Sequence, residues 1–218
     1  MKETFSIYFA GDLFDHKHLV GNALLASHIE KKSSGLYQCA LPQDFEQSVS
    51  RRVSIRNQDL RMVMESDLAL FNFDGADLDS GTVVEFMVAK QLDIPAVLLR
   101  TDFRHAGDQS ADGDSWNLMC SNYPRTETVR VNGMTHYQQA RTDNLEKTIG
   151  TIYDNLAGIV IEALDNVRNQ PPIGEATQIT DQYRWTTRYC GAGMEELLNE
   201  PQWLQRLLDS KRNKGLIH

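Results

Sequence analysis

The chain reads DGADLDSGTVVEF from Asp74 to Phe86, directly after the apolar run LALFNF from Leu68 to Phe73. The run is short, apolar and followed by turn residues, a pattern that predicts a buried strand of a parallel sheet. Residues 81–92 predict a helix, so four carboxylates crowd the end of a strand and the start of a helix. Open α/β sheets bind their ligands at this place, and the segment therefore predicts a functional site.

The rest of the first hundred residues alternates between strand and helix patterns. Residues 5–10 are aromatic and β-branched and predict a first strand, and residues 16–31 carry apolar side chains at helical spacing. Residues 35–42 predict a short strand or turn, residues 44–66 one or two helices, and residues 95–99 a further strand. This order predicts an α/β fold with a parallel sheet and helices on both faces.

The second half of the chain is less regular. Residues 101–121 are rich in Asp, Gly and Ser and predict a long loop, which is usually functional or disordered. Residues 128–131 predict a short strand, followed by a turn at Asn132-Gly133. Residues 143–168 predict an amphipathic helix that Pro171-Pro172 ends.

The tail beyond the prolines keeps several aromatic side chains and a helical pattern at residues 197–208, which argues against free disorder. We therefore expect a catalytic domain over residues 1–170 and a C-terminal helical extension over residues 171–218.

Composition narrows the class of protein. A chain of 218 residues with 41% hydrophobic and 24% charged residues is typical of one soluble domain with an appendage. A formal net charge of −8 argues against a nucleic-acid surface, which needs a basic face. The chain has neither the apolar run of a membrane span nor a signal peptide, and its three distant cysteines form no disulfide framework. We expect a cytoplasmic protein that binds a small, mostly neutral ligand.

Common cofactor motifs are absent from the sequence. It has no Gly-x-Gly-x-x-Gly, no phosphate-binding Gly-Lys-Ser/Thr loop and no Gly-x-Ser-x-Gly elbow. His16 and His18 have no clear third ligand, so their spacing is more typical of a solvated helix start than of a metal site. We therefore expect no cofactor and no metal.

The acidic segment has two interpretations. Asp79 and Ser80 could simply cap the helix, but capping does not explain Asp74, Asp77 and Glu85 at the same strand end. Glu85 lies one turn into the helix and can point back toward the crevice above the strand. A carboxylate held there is a candidate nucleophile or acid–base group.

Two further residues gain interest only from their surroundings. Tyr8 lies at the end of the first strand, where its hydroxyl could donate to a carboxylate of the acidic segment; a core tyrosine fits equally well. Asp59, taken alone, is typical of a surface acid on a helix.

Four segments occur in a characteristic order: Ile7–Gly11 with Leu13-Phe14, then Asn57–Leu60, Asp79–Glu85 and Asn117–Met119. Together they resemble the nucleoside 2-deoxyribosyltransferase family. In the same order, they are similar to its opening strand and turn, its helical aspartate motif, its nucleophile motif and the segment that reaches into a neighbouring subunit's site. The resemblance covers about residues 5 to 165 and implies a flavodoxin-like (Rossmann-like) parallel sheet.

The resemblance also implies a role for each matched residue. Glu85 would be the nucleophile, and Tyr8 would position its carboxylate. Asp59 would contact the base and is a candidate for protonating it, and Asp79 would bind sugar hydroxyls or assist proton transfer. Asn117 would bind sugar from an adjacent chain. The candidate substrate-binding residues are Phe9, Gly11, Phe14, Asp74, Gly81, Asn117 and Met119.

The implied reaction moves 2-deoxyribose between nucleobases through a covalent deoxyribosyl-glutamate, with net retention and no metal or cofactor, by the logic of retaining glycosidases. Its partners would be 2′-deoxynucleosides and free purine or pyrimidine bases, in nucleotide salvage. Shared sites in the family predict a homo-oligomer of at least two subunits, and we expect the C-terminal extension to pack at a subunit interface. The chain departs from shorter members in its longer loop before Asn117 and in this extension.

Three other functions remain open. A deoxynucleoside or deoxynucleotide N-glycosidase shares the fold, but a nucleotide enzyme would need a phosphate site where Asp12 repels phosphate. A phosphoribohydrolase of the lysine-decarboxylase-like type would have glycines in place of Asp79-Ser80. A nucleoside-binding module without turnover is compatible with the acidic cluster.

Overall fold

The computed structural model describes residues 4–45, 52–105, 107–110 and 112–218. Within these ranges, five parallel strands form one sheet in the order β2-β1-β3-β4-β5. The strands are β1 (Phe5–Ala10), β2 (Tyr37–Ala40), β3 (Leu68–Asn72), β4 (Ala96–Arg100) and β5 (Thr126–Arg130). This strand order is that of the flavodoxin-like fold, whose ligand crevice lies where the order reverses, between β1 and β3.

Helices cover both faces of the sheet. They are α1 (His16–Lys32), α2 (Arg52–Glu65), α3 (Ser80–Gln91), α4 (Gly133–Ala140), α5 (Leu145–Arg168), α6 (Ala176–Tyr189) and α7 (Trp203–Asn213). Buried side chains of α1 and α5 form one core with the sheet, and those of α2, α3, α6 and α7 form a second core on the other side. The predicted fold class, with its C-terminal helices, is confirmed.

The pleat of β1 determines which residues can reach the crevice. Successive side chains of a strand point to opposite faces. Ile7 and Phe9 accordingly pack in the core with α1 and α5, whereas Tyr8 and Ala10 pack in the core with α2 and α3. Tyr8 therefore faces the helix that carries Glu85.

Two local predictions need correction or restriction. Asn132 does not form a hairpin turn with Gly133, because its side chain accepts a 2.9 Å hydrogen bond from the Thr135 amide and caps α4. Asparagine is among the best capping residues, so the same dipeptide can start a helix. The segment predicted as one or two helices at residues 44–66 contains α2, which begins at Arg52. Residues 46–51 of this segment lie outside the described residues.

The C-terminal extension packs on its own chain. Tyr183, Trp203 and Leu208 are buried in the core that also contains α2 and α3. Lys214 Nζ lies 2.6 Å from Asp67 Oδ2, and the Arg125 guanidinium donates to the carbonyl of Leu216 over 3.0 Å. The packing of residues 171–218 at a subunit interface stays a prediction.

Among the described residues, none of the helices has both the length and the apolar content needed to cross a bilayer.

Candidate active site

A cleft lies at the carboxyl ends of β1 and β3. The chain leaves β1 through Gly11, where an added Cβ would lie only 2.9 Å from Cβ of Asn72 at the end of β3. Glycine therefore allows the turn after β1 to approach β3 closely. The two strand ends lie together at the point where ligands bind in this fold.

Helix α3 enters the cleft in a defined orientation because of Phe86. This side chain is fully buried and makes edge contacts with Phe71 and Phe73, at ring-centroid distances of 5.4 Å and 5.7 Å. Such edge-to-face pairs are directional as well as apolar. Anchoring Phe86 in the core directs its neighbour Glu85 along the adjacent side of the helix, toward the crevice.

Glu85 and Tyr8 are joined directly. The hydroxyl of Tyr8 donates a 2.7 Å hydrogen bond to Oε1 of Glu85, and the tyrosine ring is fully buried. A charge-assisted hydrogen bond from a buried donor is strong and fixes the direction of the carboxylate. This geometry suits a carboxylate that must be held in one orientation.

Asp79 is both a helix cap and a cleft residue. Its Oδ2 accepts hydrogen bonds from the amide of Thr82, at 2.7 Å, and from the hydroxyl of Thr82, at 2.9 Å. Among the described residues, no hydrogen bond is donated to its Oδ1. The capping interpretation is therefore correct, and it still leaves one oxygen for a ligand.

Two adjoining clefts share Asp59, Gly81 and Glu85. The smaller has a volume of about 120 Å³ and is lined further by Gly11, Leu13, Phe14, Pro42, Asp79 and Thr82. The larger, of about 450 Å³, is lined further by Ile55, Arg56, Leu60, Ser80 and Val84. The larger volume falls within the range of roughly 300–1,000 Å³ that is usual for small-molecule sites. Glu85 lines both clefts.

The sequence analysis missed Arg56, which lies in the larger cleft. Its guanidinium donates to Oδ1 of Asn57 over 3.0 Å and to the carbonyl of Cys190 over 2.8 Å. Helical spacing could have identified it, because residues three and four positions before Asp59 share a face with it. Ile55 lines the cleft for the same reason.

The predicted substrate-binding residues in the turn after β1 lie at the smaller cleft. Gly11 and Phe14 line the smaller cleft, and Phe14 is 78% exposed. Asp12 Oδ1 accepts a 3.1 Å hydrogen bond from the Phe14 amide, so a carboxylate stands within this turn.

Asn117 and Met119 lie in a separate cleft of about 730 Å³, which shares Ser80 and Val84 with the cleft around Arg56. Oδ1 of Asn117 accepts a 2.9 Å hydrogen bond from the Met119 amide, and the Met119 side chain is 68% exposed. A role of Asn117 in a neighbouring subunit's site stays a prediction.

Two predicted substrate-binding residues are not brought to the cleft. Phe9 is buried in the core with α1 and α5, since it points to the opposite face from Tyr8. Asp74 accepts hydrogen bonds from the amide and hydroxyl of Thr101, at 2.5 Å and 2.7 Å, and from the Asp102 amide at 2.7 Å. Its carboxylate therefore anchors the loop after β4 and lines a different cavity from Glu85.

The two histidines belong to a helix start. Asp15 caps α1 by accepting from the amides of Lys17 and His18, and Nδ1 of His18 lies 3.1 Å from Oδ2 of Asp15. Within the described part of the chain, no group of three or more His, Cys, Asp or Glu side chains is arranged to hold a metal ion.

Several solved structures are similar to this chain, among them the following three. A conserved protein from Enterococcus faecalis V583 is 25% identical, with a TM-score of 0.46 over 73% of this chain and 98% of the other. A 2-desoxiribosyltransferase from Leishmania mexicana is 20% identical, with a TM-score of 0.44 over 54% and 86% of the two chains. A CMP N-glycosidase from Clostridium botulinum is 14% identical, with a TM-score of 0.42 over 62% and 95%. At these TM-scores the likenesses carry no argument about the reaction.

No curated protein matches the chain. The family model of nucleoside 2-deoxyribosyltransferases matches residues 7–169, from β1 to the end of α5, and so includes Tyr8, Asp59, Asp79 and Glu85. The chain belongs to the nucleoside 2-deoxyribosyltransferase family.

Proposed function

We propose that this protein transfers 2-deoxyribose from one nucleobase to another through a covalent intermediate on Glu85. One observation supports this reaction most directly. The Tyr8 hydroxyl holds Glu85 by a 2.7 Å hydrogen bond in a cleft that also contains Asp59, and Asp79 lies beside it. A nucleophilic carboxylate needs this kind of orientation, because a well-placed reactant avoids much of the entropic cost of the step.

In the first step, a carboxylate oxygen of Glu85 forms a bond to C1′ of a 2′-deoxynucleoside. The bond between C1′ and the base nitrogen breaks, its electron pair leaves with the base, and a proton from a nearby acid neutralises the base. The transition state resembles an oxocarbenium ion, as in glycosidases. The carboxylates around the cleft stabilise its positive charge.

In the second step, a nitrogen of another base attacks C1′ and releases Glu85. Two inversions give a product with the starting anomeric configuration. Asp59 is the candidate acid and base at the nucleobase, because it stands on α2 beside Arg56 in the larger cleft. Asp79 is the candidate partner of the sugar hydroxyls, since its Oδ1 is not used in capping α3.

The preferred substrates are nucleosides rather than 5′-nucleotides. The carboxylate of Asp12 stands in the turn after β1, where a phosphate would meet like charge. We also propose that Asn117 completes the sugar site of a second subunit, so that the active unit is a homo-oligomer. The cytoplasmic location stays a prediction from the sequence.

The direct test incubates the protein with thymidine, with and without adenine, and separates the products by chromatography. Deoxyadenosine is expected with adenine. The rate of deoxyadenosine formation should be lower by roughly 10⁴-fold or more in the Glu85→Ala variant, as in other enzymes that lose their nucleophile. Glu146→Gln, an equally simple change at an exposed carboxylate on α5, is the control and should keep full activity.

A second measurement traps the intermediate. Mass spectrometry of protein incubated with thymidine alone should show one added deoxyribosyl group, which is absent in Glu85→Ala. Thymine released without any transfer to adenine would favour the N-glycosidase. If neither thymidine nor deoxyinosine is turned over, the protein is a binding module and the proposed reaction is wrong.

A further inference from the structure

Three polar side chains of α2 that are spaced four residues apart contact the C-terminal extension, in addition to Arg56. Asn57 Nδ2 donates to the carbonyl of Ala192 over 2.8 Å. Arg61 donates to both carboxylate oxygens of Glu200, over 2.9 Å and 3.1 Å. We call Asn57, Arg61 and Glu65, together with their partners in the extension, the α2 clamp.

Glu65 completes the α2 clamp at the end of the helix. Its Oε1 accepts a 2.6 Å hydrogen bond from Nε1 of Trp203 and also receives Arg61 Nε at 2.8 Å. The clamp therefore runs along the whole described length of α2 after its first turn. Both partners of each contact lie within one chain, so a second subunit is not needed for it.

The α2 clamp lies on the opposite side of the helix from the cleft. Each residue of an α-helix advances by about 100°, so Asp59 points about 160° away from Arg61, the middle of the clamp. Asp59 lines the cleft, whereas Asn57 and Arg61 face the extension. Arg56 lies between these two sides, because it lines the cleft and also donates to the carbonyl of Cys190 in the extension. Rotation of α2 about its axis would move both sides together.

Small rotations have large consequences for a catalytic group. A carboxylate about 6 Å from the helix axis moves by about 1 Å when the helix turns by about 10°. A misplacement of about 1 Å can lower a rate by about 100-fold. The apolar contacts of Leu60, Val63 and Met64 bury the inner face of α2, but apolar attraction is not directional. The hydrogen bonds of the α2 clamp are directional, and the bidentate Arg61–Glu200 pair is the most restrictive of them.

We infer that the C-terminal extension is a positioning device: through the α2 clamp it fixes the rotation of α2 and so the direction of the Asp59 carboxylate in the cleft. This inference rests on the proposed function for the role of Asp59. Asn57, Arg61 and Glu200 are positioning residues, since they act on the substrate through Asp59. The family match ends at residue 169, so the partners of the clamp in the extension lie beyond it.

The test compares Asn57→Ala, Glu200→Ala and the double variant with a matched control. The control is Asp209→Ala, which breaks the 3.1 Å Arg212–Asp209 pair inside α7 without touching α2. Hydrogen exchange should become faster at residues 55–61 in the double variant and stay unchanged in the control. Transfer activity, as kcat/KM, should fall about 10-fold in each single variant and about 100-fold in the double variant.

A double-mutant cycle separates positioning from general loss of structure. In an Asp59→Asn background, the clamp variants should cause little further loss, because the group that they position is already absent. An equal loss in both backgrounds, or exchange at residues 55–61 that matches wild type, would overturn the inference. Faster exchange in the double variant together with a wild type that turns over no nucleoside would refute the proposed reaction and still support the clamp.

Discussion

The hydroxyl of Tyr8, on β1, donates a 2.7 Å hydrogen bond to Oε1 of Glu85, on α3, across 77 residues of sequence. It joins the first strand to the helix that follows β3, at the point where the strand order of the sheet reverses. The cleft residues thus come from four segments that only the parallel sheet brings together: the turn after β1, Pro42 after β2, helix α2 and the start of α3.

Replacing Tyr8 by Phe should separate the role of this hydroxyl from that of the ring. The buried ring keeps its packing, but Glu85 loses a charge-assisted donor, so we expect kcat to fall by about 10- to 100-fold. Tyr37 offers a matched control, because its fully buried ring also carries a hydroxyl bonded to a carboxylate, that of Asp165 at 2.6 Å.

Both variants should lose similar stability, about 1–3 kcal/mol, in chemical denaturation. Only Tyr8→Phe should lose activity in steady-state transfer assays. Equal kcat values for the two variants would show that the Tyr8 hydroxyl has no part in orienting Glu85.

Replacing Asp74 by Asn should affect stability more than catalysis. An amide cannot accept the three hydrogen bonds that the Asp74 carboxylate takes from Thr101 and Asp102 without turning a donor toward one of them. We expect a loss of about 1–3 kcal/mol of unfolding free energy and a kcat within about 3-fold of wild type. Asp77→Asn, at an exposed position in the same loop, should change stability by less than about 0.5 kcal/mol. A large fall in kcat at unchanged stability would restore Asp74 to the substrate site.

Lys90 should make the free energy of unfolding increase between neutral and alkaline pH. Its ammonium is buried and donates to the carbonyls of Ile94 and Arg125, over 2.8 Å and 3.2 Å, beside the Asp93–Arg125 ion pair. Burial lowers the pKa of Lys90 to about 7, although the Asp93 carboxylate opposes the shift. The unfolded chain, with a lysine pKa of about 10.4, binds the extra proton between these two values.

The free energy of unfolding should therefore rise with pH from about 7 to about 10, because in this range the unfolded state still binds a proton that the folded state has released. Urea denaturation of wild type and Lys90→Met at about pH 7 and about pH 9 tests this. The difference in unfolding free energy should shift in favour of wild type at the higher pH. If the difference in unfolding free energy between wild type and Lys90→Met does not change with pH, the ammonium of Lys90 is charged in the folded protein and this prediction is wrong.

Mixing two inactive variants should test the proposed sharing of sites between subunits. Glu85→Ala and Asn117→Ala proteins are each expected to be nearly inactive alone. If Asn117 serves the site of a neighbouring subunit, a mixed dimer has one site with both defects and one intact site. Random exchange of equal amounts should then restore about a quarter of wild-type activity. Activity that stays at the sum of the two separate proteins would place Asn117 in its own subunit's site or outside any site.

Local sequence patterns predicted the elements but not all of the surroundings of the cleft. The apolar run before the acidic segment predicted β3, and the fold class followed from the alternation of strands and helices. Arg56 and Ile55 were missed because their helical spacing from Asp59 is informative only once Asp59 is known to line the cleft. Phe9 was assigned to the cleft because the motif match takes no account of which face of β1 each side chain occupies.

The order of apolar runs, glycines and carboxylates along the chain was enough to predict the parallel sheet, which the structure contains. It also predicted the strand end at which we expect a ligand to bind and Glu85 as the candidate nucleophile. These are properties of periodicity and turn chemistry, which act over a few neighbouring residues. Only the tertiary structure showed which aspartates of the acidic loop anchor the backbone and which face the cleft. Asp74 and Asp79 belong to the same acidic loop, yet one anchors a neighbouring loop and the other faces the cleft. That division depends on which backbone amides approach each carboxylate. Asp79 binds the amide of Thr82, three residues away, whereas the amides bound by Asp74 belong to Thr101 and Asp102, which only the folded chain brings close.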